Sequence, residues 1–258
     1  MPRLNPATLS GIAIAVLATA GTASAVTVGD ETPPASGRTD AGLTKAGAGA
    51  TPHSPGPATA GVEDARRLTA DALSGTGLHI PPAWEIVGVR EERHDDRRVT
   101  VIRHQPDGYR LGGPHASLVL DTDGTILGFT RLWHGDDGPL PDRRSAEETA
   151  FRFLRRVAPD HAAGLSVQWV DRHDETVTPA DGTVAEISGV KVKTRHDTGL
   201  YSWVVVGPGG TVLTYERDIA WDSGRGRRGT QMWLHDSWIA AREGTGPQPA
   251  PPYALAAP

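Results

Sequence analysis

The 258-residue sequence contains no cysteine. That absence excludes disulfides, thiolate metal sites and a cysteine nucleophile, so the folded chain must be held together by packing alone. Outside the first 25 residues no apolar run approaches the roughly 20 residues that a membrane span needs. There is no long basic stripe either, and a formal net charge of −5 argues against nucleic acid as a partner. The P-loop, the dinucleotide fingerprint and the G-x-S-x-G elbow are all missing. Ser117, Ser166, Ser188 and Ser202 lie in or beside predicted strands, and no Ser, His and Asp set stands out by position. A non-enzyme without a cofactor is therefore expected.

What is present begins with a leader. One Arg, an apolar run from Leu9 to Ala20 and Ala23-Ser24-Ala25 as an A-x-A site read as a secretory signal peptide over 1–25, cleaved after Ala25. A secreted or envelope-associated protein follows from that reading. Residues 26–61 are dominated by Gly, Pro, Ala, Thr and Ser, as are 244–258. Neither stretch carries enough apolar surface to offset the entropy of ordering, so a disordered linker and a disordered tail are expected around a folded part.

Within the folded part, Val62, Ala65, Leu68, Ala72 and Leu73 recur at helical spacing, and Gly75 and Gly77 stop the helix. WEIVGVREE and RVTVIRH alternate as strands, with a turn at 94–97 between them. ASLVLDTDGTILGFTRLW, 116–133, reads as a hairpin around a two-residue Asp123-Gly124 turn. SAEETAFRFLRRVAP, 145–159, is the clearest helix, with Ser145 and Glu148 as a capping box. LSVQWV, AEISGVKVKTRH and the hairpin YSWVVVGPGGTVLTYERDIAW follow as strands. The last apolar piece, QMWLHDSWIAA, fits a strand or a short helix equally well.

Several landmarks recur at a near-constant offset. Ala65 aligns with Ala150, Leu68 with Phe153, Trp84 with Trp169, and Gly124-Thr125-Ile126 with Gly210-Thr211-Val212. The expectation is an α+β fold of two tandem repeats, 62–143 and 144–243, the second with a C-terminal extension. Each would pack one amphipathic helix on an antiparallel sheet of about four strands. Trp84 and Trp169 would then be core residues at matching places.

The stretches EDARRLTADAL with ASLVLDTDGTILGFTRL, and EETAFRFLRRVAP with WVVVGPGGTVLTYERD, carry a resemblance to a known family. Their order of helix, strands and D-x-D-G or G-x-G-G hairpin resembles the PepSY-like, propeptide-type modules of secreted bacterial proteins. The second unit departs from the acidic turn, having Gly207-Pro208-Gly209-Gly210 where the first has Asp121-Thr122-Asp123-Gly124. The resemblance implies a non-catalytic binding or inhibitory module and brings no catalytic residues.

Two kinds of site suggest themselves. His next to Asp recurs at 94–95, 173–174, 196–197 and 235–236, a residue pairing that suits zinc or copper, with His104 and His196 at related repeat positions. None has the i, i+4 spacing that would aim two imidazoles at one ion, so an extracytoplasmic metal-binding protein is the alternative and no metal ligand is assigned. Asp121 and Asp123 lack the later ligands of a calcium loop and read as a turn. The stronger expectation is a contact surface for another exported or envelope protein, such as a protease, built from Trp221, Arg225, Arg227, Arg228, Trp233 and Trp238.

Overall fold

Residues 116–133 pair as predicted into two strands, but the turn between them is longer than two residues. The chain here is seen in a computed structural model that describes residues 59–256. Asp121 N–H donates to the Thr125 carbonyl at 2.9 Å and Gly124 N–H to the Asp121 carbonyl at 3.0 Å, enclosing Thr122, Asp123 and Gly124. Only Gly124 takes a positive φ, +86°, as the third residue of such a loop requires. The second hairpin closes alike, Gly207 N–H donating to Thr211 at 2.7 Å around Pro208-Gly209-Gly210.

The chain runs α1 (Thr59–Leu73), β1 (Glu85–His94), β2 (Arg97–Gln105), β3 (His115–Asp121), β4 (Ile126–Leu132), α2 (Arg143–Val157) and α3 (Pro159–Ala163). It continues as β5 (Leu165–Val177), β6 (Ala185–His196), β7 (Tyr201–Val206), β8 (Val212–Ile219), β9 (Trp221–Asp222), β10 (Arg227–Arg228) and α4 (Asp236–Arg242). The leader and the linker up to residue 58 fall outside the described residues. Helix α2 starts before the expected capping box: the Asp142 carboxylate accepts from the Ser145 amide at 2.8 Å, and Glu148 pairs instead with Arg144 at 2.9 Å. A short acceptor three residues upstream of a free amide is as good a cap as serine, and Asp142 takes the extended backbone, φ −66° and ψ 168°, that a cap residue needs.

The expectation of two separate helix-on-sheet repeats is corrected by the strand order. All eight long strands form one antiparallel sheet, β1-β2-β3-β4-β8-β7-β6-β5, in which β4 pairs with β8 through Gly128 and Glu216, Phe129 and Tyr215, and Thr130 and Thr214. The physical reason lies in β4. Every residue of ILGFTRL is buried, so a small sheet ending there would expose an apolar edge, and pairing it with β8 removes two such edges at once. The tryptophan alignment also fails: Trp84 lies ahead of β1 against Trp133, whereas Trp169 is 43% exposed in the middle of β5.

The sheet has two unlike faces because strand side chains alternate. One face lies under α1 and α2, where Ile102, Leu118, Phe129, Val192, Val204 and Tyr215 pack against Ala65, Ala150, Phe153 and Leu154. The Phe153 ring meets Tyr215 edge-on with centroids 5.2 Å apart. On the other face Val99, Val101, Val119 and Leu127 are covered by Met232, Trp233, Leu234, Trp238 and Ile239, so QMWLHDSWIAA is a turn leading into α4. The Pro/Ala-rich stretch beyond it, expected to lack structure, is packed as well: Ala254 and Ala256 are buried, and Arg228 N–H donates to the Pro252 carbonyl at 2.8 Å. Small residues reach the core where large ones would not fit. Among the described residues no helix is long and apolar enough to cross a membrane.

Candidate functional site

The second face is left open where β5, β6 and β7 extend beyond the cover of α4. There a cavity of about 450 Å³ opens between the strands, the Leu111–His115 loop, the start of α4 and Tyr253. Alternation decides what faces it. Val190 and Val192 point to the helix layer, so Lys191 and Lys193 point to the other face, as do Trp203 between Ser202 and Val204 and Glu216 beyond Tyr215, and of these Lys191 and Trp203 line the cavity. Strand β5 adds His173, Glu175 and Val177. Gly189 keeps the floor low, because a Cβ there would lie 2.5 Å from Val205 Cγ1.

Most of the charge around this cavity is paired. Glu216, fully buried, accepts from Arg228 Nη2 at 2.7 Å and meets His235 Nε2 at 3.0 Å. Burial alone pushes its pKa up, but Arg228 and His235 outweigh that and hold the carboxyl well below the usual range. Asp236 receives a two-pronged Arg103 at 2.7 and 2.8 Å, and the Gly112 amide at 2.6 Å. Its pKa is likewise pushed up by burial and brought down further by His115, Arg103 and Gly112. Glu175 lies 3.0 Å from His173 Nε2, and that contact and the nearby His235 keep it lowered against burial.

Lys191 is different. It makes no hydrogen bond and no ion pair among the described residues, and its Nζ sits 4.1 Å from the centroid of the Trp203 ring. Burial lowers its pKa to about 8; Glu216 and Glu175 raise it, while Arg228 and Lys193 lower it. Lys193, two residues along the same strand face, lies among Tyr201 at 4.5 Å, Trp221 at 5.3 Å and Trp169 at 5.8 Å, measured to ring centroids. Trp169 and Trp221 are 43% and 38% exposed, so the row leads from an aromatic surface into the cavity.

A second constellation has the pattern of a hydrolase. Ser202 Oγ is 2.9 Å from His161 Nε2, and His161 Nδ1 is 3.8 Å from Asp218 Oδ1. Ser202, however, is 1% exposed beneath the imidazole, and the surface hollow beside it is lined by His161, His196 and Asp218 without the serine. Burial and Arg217 also lower the His161 pKa to about 4, far from the value that suits a base at neutral pH. The set presents no nucleophile to solvent and reads as a satisfied polar contact.

The structure divides the residues expected to form a contact surface. Trp233, just before α4, and Trp238, on its inner face, are 2% and 1% exposed and pack edge-to-face at 4.7 Å in the core. Arg228 is buried as the partner of Glu216. An amphipathic ring is half exposed only if nothing packs against it, and here both rings pack against the sheet face and the tail. Trp221 and Arg225 remain exposed and Arg227 is half-buried. His104 and His196 are not brought together: they lie on β2 and β6 with four strands between them, about 24 Å at the usual strand spacing. No three His, Asp or Glu side chains among the described residues are grouped to hold a metal ion.

Lys191, Trp203, Glu175 and Glu216 were not singled out in the sequence, although one signal pointed to the first. Of 26 basic residues only Lys45, Lys191 and Lys193 are lysines. Two of three rare residues on one strand face mark that face. Comparisons of the chain with protein-family models, with characterised proteins and with solved structures find no match.

Proposed function

We propose that the protein is a non-catalytic binding module, exported after loss of its leader, that takes a compact organic anion into the sheet-face cavity beside Lys191. The observation that carries this reading is an ammonium in the cavity with no ion-pair partner among the described residues. Arg228 and Glu216 neutralise each other, as do Arg103 and Asp236, and Glu175 meets His173, whereas Lys191, among the described residues lining the cavity, is a cation with no ion-pair partner. With a pKa near 8 it is mostly charged at neutral pH while partly desolvated, a costly state that a bound carboxylate relieves. Trp203, Val177, Val205 and Leu234 offer an apolar wall to the rest of the ligand, and the volume falls within the range of small-molecule sites. The non-catalytic role is also what the resemblance to PepSY-like modules implies.

Thermal unfolding with a panel of small carboxylates, lactate and benzoate among them, and benzylamine as the cationic control tests the reading. Carboxylates should raise Tm in proportion to the logarithm of their concentration, benzylamine should not, and Lys191→Met should abolish the shift. No shift with any carboxylate, or an equal shift in Lys191→Met, would sink it.

A second reading is favoured by the exposure of Trp169 and Trp221 around Lys193. In it, another exported or envelope protein, such as a protease, docks on the outer end of the same row, with Arg225 and Arg227 beside it. Cross-linking in culture supernatant should then yield an adduct that is lost in Trp221→Ala and kept in Trp84→Phe; equal adducts in both would remove this reading.

A further inference from the structure

We infer that Lys191 captures small 2-oxo acids reversibly, as an imine between its Nζ and the ligand's carbonyl carbon. The inference deepens the proposed anion-binding role and rests on the same cavity. Its first support is compositional. The chain fills 23 of its 26 basic positions with arginine, so a lysine in the cavity is not the default choice for placing a positive charge. A guanidinium stays protonated and cannot act as a nucleophile, whereas an ammonium can lose its proton when desolvated. Lysine is the residue required where the amine itself must react.

The second support is geometric. Lys191 reaches into the cavity over the face of Trp203, with no carboxylate close enough to hold its proton in an ion pair. The charged groups around it are Glu216 from β8, Arg228 from β10, Lys193 from its own strand and Glu175 from β5, with the imidazoles of His173 and His235 on the same cavity wall. The acids favour the ammonium, the two cations oppose it, and burial decides the balance. With a pKa near 8, roughly one Lys191 in ten is a free amine at pH 7, against about one in several thousand for a lysine in water.

The step balances without an oxidant or reductant. The neutral Nζ attacks the carbonyl carbon, the C=O π pair moves to oxygen, and proton transfer gives a carbinolamine. Protonation of its hydroxyl, loss of water and return of the nitrogen lone pair form the C=N bond, so one amine and one carbonyl yield one imine and one water. His235 and His173, held by Glu216 and Glu175, are the cavity groups able to pass those protons. The carboxylate of a 2-oxo acid lies next to the new iminium and supplies the close ion pair that Lys191 lacks among the described residues.

The test treats the full chain with pyruvate and sodium cyanoborohydride at pH 7, then maps the reduced adducts by peptide mass spectrometry. The expected result is one adduct on Lys191, at least ten-fold above Lys45, Lys193 and the terminal amine. Lys193→Arg should keep that adduct and Lys191→Arg should lose it, both with unchanged circular dichroism. An even spread over all amines, labelling of the terminal amine alone, or no adduct overturns the inference, and mapping on the unaltered chain decides it even if a variant fails to fold. Lactate, which lacks the carbonyl, separates the two readings. A lactate-induced rise in Tm without a Lys191 adduct overturns the imine alone, while neither effect overturns anion binding as well.

Discussion

The Nζ of Lys191 lies 4.1 Å from the centre of the Trp203 ring, in a cavity beside which Arg228 pairs with Glu216 and Arg103 with Asp236. An ammonium held this way weakens the fold at neutral pH. Its folded pKa, about 8, lies below its ordinary value of 10.5, so between those values the unfolded chain binds more protons than the folded one. Stability therefore rises at this group as pH climbs from 8 to 10.5, and the penalty is fully present below 8. Lys191→Met should raise Tm at pH 7 and flatten the difference between pH 8 and 10, as read by calorimetry. An unchanged or lower Tm would show that the charge costs nothing where it sits.

The Arg228–Glu216 pair should behave in the opposite sense. Both side chains are about 4% exposed or less, and Arg228 also donates to the Thr230 and Gln231 carbonyls at 2.8 and 2.7 Å. Arg228→Met leaves Glu216 buried with only His235, and should cost about 3–5 kcal/mol. Adding Glu216→Gln to that variant should recover part of the loss, a sign that the single change is dominated by the orphaned carboxylate. Denaturant titration of the two variants measures both effects.

Acid should begin to weaken the fold at a pH above the carboxylate range. Burial lowers the pKa values of His104 and His161 to about 4 from 6.5, so the unfolded chain takes up protons first and stability falls as pH drops from 6.5 to 4. A buried imidazole of this kind contributes on the order of 1–3 kcal/mol across the window. His104→Gln should make Tm less steep between pH 6.5 and 4.5 than in the parent chain. Equal slopes would mean that His104 is free to charge in the folded state.

Two tryptophans that look alike in sequence should differ in energy. Trp238, at 1% exposed against Trp233, anchors the layer over β2 to β4, and Trp238→Ala should cost about 3–5 kcal/mol. Trp221→Ala, at a site 38% exposed, should cost less than about 1 kcal/mol. Chemical denaturation of both variants gives the comparison.

The strands and main helices were legible because their apolar spacing is local: alternation in 116–133 and the 3.6-residue pattern of α2 need no partner to be read. The seam between β4 and β8 was not, since it joins residues about 86 positions apart and follows from which edges are too apolar to leave bare. Trp233 and Trp238 fitted a half-exposed contact role as well as core packing, because the ring alone carries no mark of what packs over it. The cavity was hidden for a related reason. Glu175, Lys191, Trp203 and His235 come from three strands and the segment before α4, and only the scarcity of lysine set one of them apart.

That scarcity makes the decisive measurement simple. Reductive ¹³C-methylation of the chain gives a spectrum with signals from three lysines and the terminal amine alone. The Lys191 signal should titrate near pH 8 and move to higher pH when lactate or benzoate is added, because a bound carboxylate stabilises the ammonium. Titration of all three lysines together near 10.5, with no response to either carboxylate, would contradict the assignment of Lys191 as the anion-receiving group of the cavity.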